Sequence, residues 1–285
     1  MILFGYRKGT GLTQLRELDG SEAAAYELAV SHIRAFDHSS ILLHLVRESH
    51  AELQRVLALI AKCEPLASDA EWERMHGLEI DFDGRLLSLL AACRMFLDQT
   101  DARLKRQYGG DAIQVREFAV AKAAAFDGAF EYRFMYKLRN HIQHAGFPNW
   151  SPLVDGTVSN GEVWRIIRMF EPTADPGELI SSGGDWGAVV RRDLAARRDR
   201  IAIGPAATEF VRLLGVISDR TKQAEEPELR ASVQVVDATV ALALDRNDYP
   251  MVAIEAAADG KRHLTFVTVP SSVMRQYGSR IPDRP

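Results

Sequence analysis

The sequence holds two cysteines, Cys63 and Cys93. Two thiols cannot build a disulfide framework or a four-thiolate zinc site, so reduced, buried thiols are expected. No apolar run approaches the roughly 18 residues that a membrane-spanning helix needs. Residues 1–4 are apolar, but Tyr6, Arg7 and Lys8 follow them, whereas a signal peptide places basic residues before a longer apolar core. The expectation is a soluble cytoplasmic protein with no membrane partner. A strong excess of either charge is also missing: 35 basic and 39 acidic residues give −4. Proteins that coat nucleic acid by bulk charge are usually strongly basic, although a local basic patch can survive an acidic total. Internal repeats and low-complexity tracts are absent. What is there is an ordinary globular balance, 47% hydrophobic and 26% charged over 285 residues, enough for one large domain or two small ones.

Standard catalytic motifs are missing as well. Gly9-Thr10-Gly11 lacks a third glycine and a convincing preceding strand, so it reads as a turn rather than a phosphate cradle. There is no Gly-x-Ser-x-Gly elbow, and no histidine pair spaced with a carboxylate for helical zinc chemistry. His32, His38, His44 and His50 recur every six residues. Six helical positions rotate about 240°, and the two that realign lie about 27 Å apart, so one metal cannot use them. No metal ligands and no cofactor are called for.

Apolar spacing predicts a long helical stretch from about Ser21 to Pro65, with a break near 37–40, and a connection over 66–75. A second helix is expected from about Asp83 to Tyr108, ended by Gly109-Gly110. A third, capped by Asp111, should run to about Ala145, where Gly146 and Pro148 stop it. The character then changes. Asn160-Gly161 and Asp259-Gly260, each between β-forming runs, predict two hairpins, over 152–171 and 251–269. Residues 175–187 read as a loop, followed by a basic helix over 187–200 and helices over 205–222 and 228–244. The fold class expected is mainly α: a helical bundle over 1–150, then a mixed α+β accessory region over 151–285 that can pack on the bundle.

The densest cluster of chemical groups lies at the end of the third helix. It gathers Arg133, Tyr136, Lys137, Arg139, Asn140, His141 and His144 on an aromatic-backed segment. Tyr136, Asn140 and His144 form one polar row at a spacing of four. Arg139 and His144 are five apart, about 140° around the axis; a long arginine can still reach the same groove, or a partner chain can complete the site. His144 sits in the last turn, where the negative end of the helix dipole favours imidazolium and so suits proton donation to a leaving oxygen.

Arg139-Asn140-His141-Ile142-Gln143-His144 resembles the signature of the HEPN family (higher eukaryotes and prokaryotes nucleotide-binding), an arginine, a polar residue and then a histidine. The resemblance covers this motif and the helices before it, roughly residues 20–150. It implies an all-helical, dimeric fold with two motifs facing one cleft. It further implies a metal-independent endoribonuclease of the toxin–antitoxin or phage-defence class, in which the RNA 2′-hydroxyl attacks the adjacent phosphate. In that reading His144 transfers protons, Arg139 stabilises the phosphorane charge and Asn140 orients the histidine or the phosphate. Tyr136, Lys137, His141 and Arg133 would bind substrate. RNA, a second copy of the chain and an antitoxin or regulatory protein are the implied partners.

Two alternatives stand beside it. The same cleft can serve a non-catalytic module that binds a nucleotide or a protein, and Arg, Asn and His at a helix end can simply bind the last carbonyls and lock the loop that follows. Five arginines against two aspartates over 191–200 read either as an RNA-facing stripe or as a solvated face with internal ion pairs.

Overall fold

Residues 2–17 form a hairpin that hydrophobic periodicity does not announce. Strand β1 (Ile2–Arg7) turns into β2 (Gly11–Glu17) through Gly9 and Gly11, whose φ values of 96° and 82° lie where side chains other than glycine are strained. The turn reading of Gly9-Thr10-Gly11 thus comes with a strand before it and another after it. The computed structural model describes residues 1–62, 69–150, 152–159, 162–170, 172–258 and 261–282. Cys63 and the turn pairs Asn160-Gly161 and Asp259-Gly260 lie outside them.

Helix α1 (Gly20–Ile60) follows. Its start is a reciprocal capping box. The Asp19 carboxylate accepts from the Glu22 backbone N–H at 2.8 Å, and the Glu22 carboxylate accepts from the Asp19 N–H at 3.1 Å. The Glu22 N–H is the main reason that the Asp19 carboxyl is held below its usual range. The break expected near 37–40 does not occur. Ser40 turns its hydroxyl back onto the Phe36 carbonyl at 3.4 Å, which keeps a polar group inside a continuous helix.

Helix α2 (Asp69–Tyr108) is longer than its apolar face predicted. The third helix divides into α3 (Ile113–Gly128) and α4 (Phe130–Ala145). Ala129 between them is extended, with φ −131° and ψ 124°. The carbonyls freed at the end of α3 are taken by Arg133, whose Nη1 donates to those of Phe126 and Asp127 at 2.5 and 3.0 Å. The cap of α3 is Ala112, with no side-chain bond, rather than Asp111.

Strands β3 (Pro152–Ser159) and β4 (Glu162–Phe170) pair antiparallel. The short strand β5 (Thr173–Ala174) comes next. The expected loop over 175–187 contains a short helix, α5 (Pro176–Ser181). Pro176 opens it, and the Asp175 carboxylate accepts from the Glu178 N–H at 3.0 Å, a standard proline-and-aspartate start. Helix α6 (Gly187–Ala196) and strand β6 (Ile201–Ala202), which pairs with β5, follow.

Helix α7 (Ile203–Asp245) runs straight through Pro227, where two helices were expected. An interior proline costs about 3 kcal/mol. Leu229, Val233, Val236 and Val240 continue the buried stripe beyond it, each contributing about 1.5–3 kcal/mol, so burial wins. Strands β7 (Tyr249–Ala258) and β8 (Lys261–Val267) and helix α8 (Ser271–Gln276) complete the order. The protein is mainly helical with antiparallel sheets. Among the described residues no helix is long and apolar enough to cross a membrane.

The chain divides into two units, Met1–Ile41 with Lys222–Pro285, and Leu42–Thr221. In the first, four antiparallel strands are ordered β2-β1-β7-β8, with Phe4 opposite Met251. Leu3, Ile33, Phe36, Val236 and Val252 lie in its core. In the second, Phe82, Phe96, Phe118, Phe134, Trp186 and Phe210 are buried. Residue 150, where the composition shifts, falls inside this second unit. Trp150 is buried there, edge-on to Phe82 at 5.3 Å.

Leu3 is fully buried on the strand that joins the two ends of the sequence into one sheet, whereas Leu12 is 46% exposed. Leu3→Ala is expected to lower unfolding free energy by about 3 kcal/mol, and Leu12→Ala by less than about 0.5 kcal/mol. Urea titration followed by circular dichroism measures both; equal losses would contradict the strand placement.

Candidate functional site

Helix α4 carries every residue of the cluster singled out in the sequence. Its apolar face is set by Phe134, Leu138 and Ile142, all buried, at a spacing of four that follows one side of the helix. The structure sorts the polar residues around that face into two groups.

Arg133, Tyr136, Lys137 and His141 are held by the protein itself. Besides capping α3, Arg133 reaches Asp193 of α6, with Nε at 3.0 Å and Nη2 at 2.8 Å from one carboxylate oxygen. Both partners are largely buried, so this pair is screened little by solvent. Lys137 pairs with Asp185 at 3.6 Å. The Tyr136 hydroxyl accepts from Nη1 of Arg94 on α2, and Arg94 also pairs with Asp98 at 2.7 Å.

His141 is 3% exposed. Its ring stacks on Trp186 at 4.8 Å, and Trp186 stacks on Phe134 at 5.9 Å. The Trp186 indole N–H donates to the Leu179 carbonyl at 2.7 Å. Burial lowers the proton affinity of His141 below that of an ordinary histidine, which disfavours the imidazolium. Its Nδ1 is buried and has no hydrogen-bond partner among the described residues. Gly184 sits so close that an added Cβ would lie 2.2 Å from that nitrogen.

Arg139, Asn140 and His144 form the other group. Among the described residues Arg139 has no carboxylate partner. Its Nη1 donates to Oδ1 of Asn140 at 3.3 Å, and its Nε is buried without a bond. Asn140 is half-buried and His144 is exposed. The helix ends directly after them. Gly146, at φ 93°, donates its N–H to the Ile142 carbonyl at 3.2 Å. The polar row Tyr136–Asn140–His144 is therefore divided: Tyr136 is fixed by α2, Asn140 by Arg139, and His144 stands in solvent.

Sequence reasoning missed the groups that do the fixing: Arg94, Asp185, Trp186 and Asp193. Asp193 carried a signal, since it is an acid placed inside the arginine run. That run is also partly absorbed. The Arg197 guanidinium lies over the Phe130 ring at 3.6 Å, and Arg200 donates to the Thr173 hydroxyl at 2.8 Å. Arg191 and Arg198 are exposed.

Trp150 lies in the same buried cluster as Leu138 and Ile142. Its indole N–H donates to Asp83 of α2 at 2.6 Å. Burial lifts the Asp83 carboxyl from 3.8 to about 6, against the lowering effect of that hydrogen bond. Cys93 is buried and free, and burial pushes its thiol up. No group of three or more His, Cys, Asp or Glu side chains among the described residues is placed to hold a metal ion. No protein family, no curated protein and no solved structure matches the chain.

Two measurements test this geometry. Gly184→Ala places a methyl against His141 and is expected to destabilise the protein by about 1–3 kcal/mol. In a His141→Ala background the same change should be nearly neutral, giving a coupling above about 0.5 kcal/mol. Additive losses would contradict the close approach. For Asp83, the folded state keeps a proton between about pH 4 and pH 6 that the unfolded state has released. Its contribution to stability is thus present in acid and lost as pH rises through about 6. Asp83→Asn removes that titration. Relative to wild type, the variant's melting temperature should rise between pH 5 and pH 7.5, and a relative fall would contradict the assignment.

Proposed function

We propose that the protein is a metal-independent endoribonuclease of the HEPN type, working through Arg139, Asn140 and His144. The observation that carries the reading is the division of α4. Arg133 and Lys137 have carboxylate partners, while among the described residues Arg139 is held by a neutral amide. With no acid beside it among the described residues, this half-buried guanidinium keeps its charge for an external anion, and its planar fork matches phosphate oxygens.

The chemistry follows from the residue types. The RNA 2′-hydroxyl attacks the adjacent phosphorus, a new P–O2′ bond forms and the P–O5′ bond breaks. The products are a 2′,3′-cyclic phosphate and a 5′-hydroxyl. One proton leaves the 2′-oxygen and one arrives at the 5′-oxygen. His144 is the group on this helix suited to both transfers, because imidazole exchanges protons near neutral pH. Arg139 offsets the charge that develops on the phosphorane oxygens. Asn140 holds the guanidinium in place.

Arg139 and His144 point about 140° apart on their helix. Two copies of the chain, each giving an arginine and a histidine to one cleft, satisfy the in-line geometry better than one copy does. An antitoxin or other regulatory protein is the partner class that goes with such an activity. The same angle favours a second reading, a module that holds a nucleotide phosphate on Arg139 without cleaving it.

The test is incubation of the protein with a mixed RNA pool in EDTA. Cleavage leaving 2′,3′-cyclic ends is expected, with a loss of at least about 100-fold in Arg139→Ala and in His144→Ala. Melting temperature should be unchanged in His144→Ala. Cleavage retained in both variants overturns the site. No cleavage, together with saturable RNA binding lost in Arg139→Ala, selects the binding module.

A further inference from the structure

The first unit contains a cavity of about 640 Å³, within the size range of small-molecule sites. It is walled by the four-stranded sheet on one side and by α1, α7 and α8 on the other. Val252 and Val267 come from the sheet face that packs with the helices, Tyr26 from α1, Val240 from α7 and Met274 from α8. Every lining residue belongs to Met1–Ile41 or Lys222–Pro285. The site is therefore independent of the α4 chemistry.

The lining has a definite chemical character. Among the described residues it contains no Asp, Glu, Lys, Arg or His. A charged group entering it would lose its hydration without gaining a counter-ion, which is strongly unfavourable. Polar groups are few and all neutral, and the aromatic hydroxyls come from Tyr6, Tyr26 and Tyr249. Tyr26 is 2% exposed, yet its hydroxyl makes no hydrogen bond among the described residues. Its oxygen is not sealed off as an unpaired buried atom, so it opens onto the cavity it lines and can bond a guest there. Burial pushes the Tyr26 phenol up to about 12, so at neutral pH it keeps its proton and can donate. An apolar wall with a buried, unspent donor is the pattern by which pockets orient a ligand; the Tyr6, Tyr249 and Ser271 hydroxyls of the lining are only half-buried.

We infer that this cavity is a binding site for a neutral, mainly hydrocarbon small molecule whose single acceptor oxygen takes the hydrogen bond of Tyr26. The sheet closes one face of the ligand, Val267 and Met274 supply apolar contact, and Leu12 stands at the solvent edge, 46% exposed. Aromatic and thioether side chains adapt to irregular apolar shapes, so shape selectivity is modest and charge exclusion is strong.

The test uses two fluorescent naphthalene probes and the full chain. 6-Propionyl-2-dimethylaminonaphthalene is neutral and carries one carbonyl. 8-Anilinonaphthalene-1-sulfonate is of similar size and anionic. The neutral probe should bind saturably, one per chain, and at least about tenfold more tightly than the sulfonate. Val267→Trp fills the cavity and should abolish binding. Leu12→Trp at the exposed edge should weaken it even if the first variant does not fold. Tyr26→Phe should weaken binding of the neutral probe about three- to tenfold and shift its emission to the blue, because the carbonyl loses its donor. Equal or tighter binding of the sulfonate, binding unchanged in both tryptophan variants, or no saturable binding would overturn the inference. Unchanged affinity and emission in Tyr26→Phe would overturn the role of that hydroxyl.

Discussion

The ring of Trp186 fixes the C-terminal half of α4. It is 2% exposed, lies between Phe134 and His141, and spends its one polar atom on the Leu179 carbonyl. Stacked pairs of this kind contribute about 0.5–1.5 kcal/mol beyond the area they bury. The larger consequence is positional. Trp186 immediately precedes α6, so seating it on α4 brings Asp185 to Lys137 and Asp193 to Arg133. One helix face is thereby consumed by internal contacts. What remains of the cationic cluster is Arg139, its neighbouring amide and an exposed histidine.

This division changes the meaning of the cluster's charge. Seven groups on a short segment look like a broad basic patch, and a broad patch fits poorly with a total of −4. Arg133 and Lys137 are paired with carboxylates and His141 is buried, and on the proposed function the remainder is a narrow anion site. A narrow site matches one phosphate rather than a length of backbone, and one phosphate is all that a cleavage centre needs to engage. The arginines over 191–200 follow the same logic. Arg197 and Arg200 serve Phe130 and Thr173, while Arg191 and Arg198 are exposed and can add to long-range attraction.

Much of the helical part was legible because its signals are local. Capping groups, glycine stops and four-residue spacing marked the start of α1 and the C-terminal ends of α2 and α4, but neither the start of α2 nor that of α4. The pairs Asn160-Gly161 and Asp259-Gly260 located two strand pairs although those residues themselves lie outside the described ones. The failures have one cause, which is information that resides elsewhere in the chain. Residues 2–5 are buried on both faces, so β1 shows no alternation, and its partner β7 lies more than 240 residues away. Pro227 reads as a stop until the stripe beyond it is known to be buried. The break at Ala129 depends on Arg133 capping α3. On α4 the composition marked the right segment, but burial of His141 depends on Trp186, forty-five residues on, and no local pattern carries that pairing.

The central claim is that α4 turns His144 and Arg139 toward a phosphate ligand and keeps His141 inside. Histidine-selective ¹³C labelling with NMR tests it most directly, because the chain has eight histidines and single substitutions assign them. An uncleavable 2′-deoxy oligonucleotide is titrated at constant pH. The account predicts a saturable shift of the His144 ring resonance that disappears in Arg139→Ala, with the His141 resonance unmoved. A shift of His141 without one of His144, or a His144 shift that persists in Arg139→Ala, would contradict it.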